Sequence, residues 1–236
     1  MLRPAMKLLC QELEMTPATV SRLLGILKKQ RFVHKNMDRK YELGEIFIDF
    51  GKSINESRRA SQLAIIKPHL MHLNNILNEN IHLEVLSGND IKIATVLSGS
   101  KAVKVAAEPD IAVGVNATAG SKVILAFLPP ERLDNIMRAH PILRRFRPNT
   151  ITDWNELKRQ FKEIRKSGLA YDFDEHLEDI HAVGTPIFDY SGMVTGAVSI
   201  IVPSYRTTII SKQNTKNLLK DTARKITANL RDFSSL

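Results

Sequence analysis

Two groups of residues in this 236-residue chain have types and spacing that could do chemistry. The first is polar and basic. Thr16, Ala18, Thr19, Ser21, Arg22 and Lys28 lie along the polar side of a short helical pattern, and Lys35, Arg39 and Lys40 follow just beyond it. An arginine can offer a guanine two parallel donors, and small hydroxyl residues reach phosphates or several bases, so this group suits contact with DNA. The second group is acidic: Asp172-Phe173-Asp174-Glu175-His176-Leu177-Glu178-Asp179. Paired carboxylates can move protons and a histidine beside them can hold a metal, which would make Asp172, Glu175 and His176 the centre of a hydrolase or isomerase. Against this, acidic runs in loops are ordinarily solvated, and His82, His140 and His181 show no compact ligand spacing. His69 and His72, three apart on a helix, match partly exposed surface better than a metal pair. The chain has no P-loop, no G-x-G-x-x-G, no H-E-x-x-H and only one cysteine, Cys10. No catalytic residue, metal ligand or cofactor is expected.

The basic group depends on the elements that position it. Thr16 and Pro17 fit an N-cap and a first helical position. Val20, Leu23, Leu24 and Leu27 then recur at i, i+3, i+4 and i+7, which gives the helix one apolar face. Met6, Leu9, Cys10 and Leu13 predict a helix before it, with Cys10 buried. Phe32-Val33 and the Tyr41 to Leu43 stretch predict two short strands around a basic turn. Helix, turn, helix and hairpin over residues 1–44 make a winged helix-turn-helix, which places its second helix in the major groove. Charge supports this: nine Lys and Arg stand against four Asp and Glu in residues 1–43, so most of the net +9 of the chain is concentrated there. Such local excess is the footprint of a nucleic-acid-binding module, although a solvated amphipathic helix has the same periodicity.

Beyond Gly44 the pattern predicts a linker helix over residues 45–61 and a second helix from about Leu63 to Asn78. Strands are expected at His82–Leu86, Ile91–Val96, Val103–Ala107, Ala182–Phe188 and Val194–Val202. Helices are expected near Ser121–Phe127, Glu131–Met137 and Trp154–Ser167, the last stopped by Gly168, with another at the C-terminus. Residues 62–236 therefore read as an α/β (α+β) domain with a mostly antiparallel sheet. A 43% hydrophobic and 25% charged composition is ordinary for a chain with a buried core. The longest apolar run, Val194 to Pro203, is too short to span a bilayer. A single cysteine fits a reducing compartment, so the expectation is a cytoplasmic protein with no membrane partner.

Several of these segments together resemble one family. Thr16-Pro17-Ala18-Thr19-Val20-Ser21-Arg22-Leu23-Leu24, then Leu27, Phe32-Val33 and Tyr41-Glu42-Leu43-Gly44, are similar to the reader domain of the IclR regulators, "P-K-S-T-V-x-R-L-L … G-Y-L … Y-x-L-G". Asn116-Ala117-Thr118-Ala119-Gly120-Ser121-Lys122 with Leu125-Ala126-Phe127-Leu128-Pro129 resembles that family's "H-A-T-A-x-G-K … L-A-x-L-P". Asn149 to Asp153 resembles "T-I-T-D". Gly168 to Asp172, Glu175, Pro186 to Asp189 and Gly192 follow "G-Y-A-x-D-x-x-E … A-P-I-x-D-x-x-G". The similarity runs from about Met6 to the C-terminus.

The resemblance implies a homodimeric or tetrameric transcription factor, repressor or activator, that binds a pseudo-palindromic double-stranded DNA operator. It also implies a GAF-like C-terminal domain holding a small-molecule effector, a carboxylate or aromatic acid. By position, the effector-binding residues are Ala119, Gly120, Ser121, Asp172, Ile180, Ala182, Ser199 and Ile201. Gly120 and Ser121 at a helix start would present amides to a carboxylate. Three departures are expected to matter. The first helix of the family's reader domain has no counterpart in the chain, which leaves open a stand-alone sensor or interaction protein whose truncated reader no longer binds DNA. Glu14 and Arg31 stand where the family has glycines, which accept positive φ at little cost.

Overall fold

The structure is a computed structural model; it describes residues 4–233, with the side chains of residues 55, 56 and 233 excepted. The chain divides into two compact units, one up to Leu63 and one from Ala64.

The first unit contains α1 (Met6–Glu12), α2 (Pro17–Lys29), the hairpin strands β1 (Val33–Lys35) and β2 (Tyr41–Leu43), and the start of α3 (Ile46–Leu77). Local chemistry sets the helix limits. Thr16 Oγ1 accepts from the Thr19 amide at 3.3 Å and Pro17 opens α2, so the predicted cap is present. Both helices end in the same way. At the end of α1 the Glu14 amide reaches the Gln11 carbonyl and the Met15 amide the Cys10 carbonyl. At the end of α2, Arg31 and Phe32 make the same pair of bonds to Lys28 and Leu27. These are Schellman closures, which put the residue after the cap in the left-handed region. Glu14 (φ 50°) and Arg31 (φ 62°) occupy it without being glycine. Gly44 has no such freedom to lose. A Cβ there would lie 1.8 Å from the Arg31 carbonyl oxygen, because the Gly44 amide donates to Phe32 at 2.8 Å. Cys10, expected in the core, is half-buried.

The predicted break between a linker helix and a second helix does not occur: α3 runs unbroken for 32 residues. Residues 60–66 are mostly ordinary helix formers, and the polar stretch before them interrupts no backbone bonding. Pro68 sits inside α3 and removes only one amide donor.

The second unit is a six-stranded antiparallel sheet in the order β5-β4-β3-β8-β7-β6. Its strands are β3 (Asn80–Ser87), β4 (Asp90–Leu97), β5 (Ala112–Val113), β6 (Ala170–Phe173), β7 (Ile180–Phe188) and β8 (Val194–Pro203). Helix α4 (Ala119–Phe127) packs against β3, β6, β7, β8 and α6 (Trp154–Ser167), while α5 (Pro130–Ala139) adds Leu133 and Ile136 to the same core. The short α7 (Thr208–Ser211) leads to α8 (Gln213–Phe233), which packs on β7 and β8. Along β8, Ala197, Ser199 and Ile201 turn toward α4, and the alternate set Val198, Ile200 and Val202 is equally buried, so the sheet is covered on both faces. The strand expected at Val103–Ala107 is not formed. Residues 98–111 instead make an irregular strap that reaches β5, held by side chains along residues 99–105 and by backbone bonds of Asp110 and Ile111 with Ile93 of β4. Among the described residues, no helix is long and apolar enough to cross a membrane.

Candidate functional site

The strap roofs a cavity of about 170 Å³ on the α4 side of the sheet. Its walls are apolar: Ile93, Val105, Ala119, Ile180, Ala182 and Ile201 among others. Its polar groups are His82 and Glu84 on β3, Thr118 at the α4 cap, Asp172 on β6, His176 in the loop after it, and Glu108 on the strap.

Glu84 occupies the N-terminus of α4. It is buried and accepts from Thr118 Oγ1 at 2.6 Å, Ser199 Oγ at 3.2 Å and Ser121 Oγ at 3.5 Å. A Cβ on Gly120 would lie 2.3 Å from Glu84 Oε1, so only glycine lets the carboxylate come this close. Burial raises the Glu84 pKa, and the hydroxyl and amide donors oppose the rise. The expectation that Gly120 and Ser121 offer their amides to a bound carboxylate is thus corrected: the carboxylate at this helix start belongs to the chain. Of the eight residues assigned to the effector by position, Ala119, Asp172, Ile180, Ala182 and Ile201 line the cavity. Gly120, Ser121 and Ser199 surround Glu84 instead.

Asp172 is held by the Glu175 amide, which donates to its Oδ1 at 2.8 Å. Burial pushes its pKa up to about 7; the amide donors and the Lys122 charge work against that shift, and the Glu175 charge adds to it. Lys122 and Glu175 form a buried ion pair, with Lys122 1% exposed, and Thr150 donates to the Glu175 carbonyl. That pair engages Glu175 through Oε1, while its Oε2 is buried with no hydrogen-bond partner. His176 packs its ring 5.0 Å from Phe146, and burial lowers its pKa. Burial also lowers the His82 pKa to about 4, so its imidazole is neutral. His82 Nε2 is buried and has no hydrogen-bond partner. Among the described residues there is no group of three or more His, Cys, Asp or Glu that could hold a metal.

Polar contacts tie the strap to the end of α3. Ser100 donates to Asn78 Oδ1 through its amide at 2.7 Å and its hydroxyl at 3.0 Å. Asn80 accepts from the Gly99 amide at 3.2 Å and donates to the Val105 carbonyl. Glu79, 2% exposed, pairs with Lys101 and with Arg206 Nη2 at 3.0 Å, and Arg206 also donates to the Val103 carbonyl. The roof of the cavity is therefore pinned to the three residues that follow α3.

In the first unit the basic candidates are on the surface. Ala18, Ser21, Arg22 and Lys28 of α2 are exposed, Thr19 is half-buried, and Lys35, Arg39 and Lys40 are exposed on the hairpin. Ala18, Arg22, Gly25 and Lys29 share one stripe at i, i+4, i+7 and i+11, so Lys29 joins the group. Thr16 is the helix cap, and its hydroxyl lies 2.9 Å from that of Thr19. The Lys35 ammonium sits 5.5 Å from the centre of the Tyr41 ring, and Arg39 turns the hairpin at φ 59°.

Sequence reasoning missed Glu84 and the strap altogether, and weighed His82 and His176 only as metal or acid–base candidates, not as cavity-lining residues. The signal was present on β3: in Ile81-His82-Leu83-Glu84-Val85 the polar residues alternate with apolar ones. That alternation reads as a solvated face unless the face is known to be covered.

The family described as "Bacterial transcriptional regulator IclR C-terminal" matches residues 58–228. The HTH-type transcriptional regulator TtgV of Pseudomonas putida is 30% identical over 205 residues, 86% of this chain and 75% of its own length. The HTH-type transcriptional repressor AllR of Klebsiella pneumoniae is 26% identical over 219 residues, 92% of this chain and 79% of its own. The crystal structure of the Thermotoga maritima IclR superposes with a TM-score of 0.69 at 27% identity, covering 98% of this chain and 92% of that one. These relatives are named as regulators, not enzymes. The chain belongs to the IclR family of bacterial transcriptional regulators.

Proposed function

We propose that the chain is a DNA-binding regulator whose operator affinity is set by a small organic effector held under the strap. Residues 1–44 act as a winged helix-turn-helix, 45–61 as the linking part of α3, and 62–236 as a GAF-like sensor domain. The stripe of Ala18, Arg22, Gly25 and Lys29, with Thr19, Ser21 and Lys28 beside it, faces the major groove, and the hairpin lysines and Arg39 lie along the flanking phosphates. One recognition helix contacts too few bases for genomic specificity, so the chain works as a homodimer or tetramer on a pseudo-palindromic operator in the cytoplasm. The observation that carries the reading is the roof of the cavity: the strap lining it is bonded to Asn78, Glu79 and Asn80, directly after α3. An effector that orders the strap differently in two arrangements of this junction shifts their populations, and operator affinity follows. The ring-sized, apolar part of the expected aromatic-acid effector suits the walls; its acid part is opposed by Glu84.

One observation favours a second reading, a sensor whose reader does not bind DNA. Leu13, Leu23, Leu27, Leu43, Phe47 and Ile48 are exposed in the first unit. Fluorescence anisotropy with the DNA upstream of the chain's own reading frame separates the two. A regulator prefers that DNA over scrambled sequence by 10³-fold or more, roughly the usual specificity ratio, and loses affinity steeply with salt. Arg22→Ala then lowers the preference at one base step. Micromolar binding indifferent to sequence would sink the DNA reading.

A further inference from the structure

The cavity has the wrong charge for an organic acid. Three carboxylates border it, Glu84 and Asp172 buried and Glu108 at the exposed rim, and none of the described residues lining it is a lysine or arginine. Lys122, the cation that acts on Asp172, is closed in its ion pair with Glu175. Burial holds the His82 and His176 rings toward their neutral forms, so neither contributes a positive charge. The positive end of α4 is already occupied by Glu84. Burial also holds Glu84 and Asp172 toward their neutral forms, so a bound carboxylate finds no cation and meets acids that it could only push further from ionising, whereas an ammonium beside them draws them back to their ionised forms.

Two further features bear on the ligand. His82 Nε2 is buried beside the cavity without a partner, and such orphaned polar atoms are rare unless something absent from the structure completes them. With the ring proton on Nδ1, this nitrogen accepts an N–H bond. The size of the space is the other: 170 Å³ is close to the roughly 150 Å³ of an engineered apolar cavity that takes up benzene.

We propose that the pocket takes a small organic cation: a primary amine on a single-ring-sized apolar body. Its ammonium is received by Glu84, Asp172 and His82 Nε2, and its body lies against Ile93, Ile180 and Ile201. The proposal rests on reading the cavity as the effector site, and it adds the charge class of the ligand.

Calorimetry on the full chain, without DNA, tests it with three probes of one skeleton: benzylamine, benzyl alcohol and benzoate. Benzylamine is expected to bind at least tenfold more tightly than the alcohol, with benzoate weakest. Glu84→Gln keeps the shape and removes the charge, and should cost the amine at least tenfold more affinity than it costs the alcohol; Asp172→Asn gives the same reading if the first variant folds poorly. Benzoate or the alcohol binding as well as the amine overturns the proposal, and so does failure of benzylamine to bind. Ala182→Trp, which fills the cavity, separates the two levels. A preference for benzoate that this variant abolishes removes the cation but keeps the effector site, whereas binding of all probes that survives it removes both.

Discussion

Between residues 4 and 63 the described chain buries Val20, Leu24 and Gly44 and little else, whereas from Ala64 onward both faces of a six-stranded sheet are covered. In the first unit the apolar side chains of α1, α2 and α3 line an open groove of about 800 Å³ bordered by Leu9, Leu13, Leu23, Leu27 and Phe47. In the second, even polar groups are buried: Lys122 is 1% exposed and Glu84 3%. The difference matches the division of labour proposed above. DNA contact needs an exposed stripe with the right side chains, and a lightly packed unit can present it. Effector selection needs polar groups held in low dielectric, and only a closed core provides that.

A pair of truncations, one in each unit, gives the largest contrast. Phe161→Ala in the α6 core, where the ring is 1% exposed, is expected to cost about 3–5 kcal/mol. Leu27→Ala, at a position 39% exposed, is expected to cost under about 1 kcal/mol. Denaturant titration of each variant checks the pair, and equal losses would erase the distinction between the units.

The titration of Asp172 comes next. Its folded pKa is raised from 3.8 to about 7, so it favours the folded sensor fully below pH 4, and that contribution is lost as pH rises through 7. The raised pKa values of Glu84 and Glu175 act in the same direction, while Lys122 opposes the shift at Asp172. His82, lowered to about 4, has the opposite sense and withdraws stability as pH falls from 6.5 toward 4. The melting temperature of the sensor should therefore fall between pH 6 and 8, and Asp172→Asn should flatten the fall. Benzylamine affinity should rise over the same interval as Asp172 loses its proton. A melting temperature that climbs through this window would contradict the buried-acid account.

The smallest expected effect lies in the reader. Glu14→Gly removes a left-handed backbone strain worth about 1 kcal/mol, and amide exchange in α1 and α2 should slow by a corresponding factor of about 5. Arg31→Gly should gain slightly less. It also breaks exposed ion pairs to Glu45 at 3.2 Å and Asp49 at 3.4 Å, which contribute little.

The reader was legible because its signals are local. Thr16 and Pro17 start α2, the 3.6-residue period marks its face, and the two replaced glycines forecast positive φ where Glu14 and Arg31 have it. The sensor's elements were legible for the same reason: Gly168 ends α6 at φ 69° as its sequence context predicts. Three features were not. The continuity of α3 across residues 61–63 was hidden because the polar stretch from Asn55 to Arg59 reads as the end of a linker, although the backbone bonding continues through it. The strap at Val103–Ala107 has strand-like residues, but the Asn80 side chain and Arg206 claim its carbonyls. Glu84 reads as a solvated strand residue because its donors, Thr118 and Ser199, lie 34 and 115 positions away along the chain.

The central claim, that filling the cavity changes DNA binding, is tested most directly by measuring operator affinity with and without a ligand whose occupancy calorimetry has established. The account predicts a change of at least fivefold, with the reciprocal change in ligand affinity when operator is present. An operator affinity unmoved while the pocket is full would contradict it.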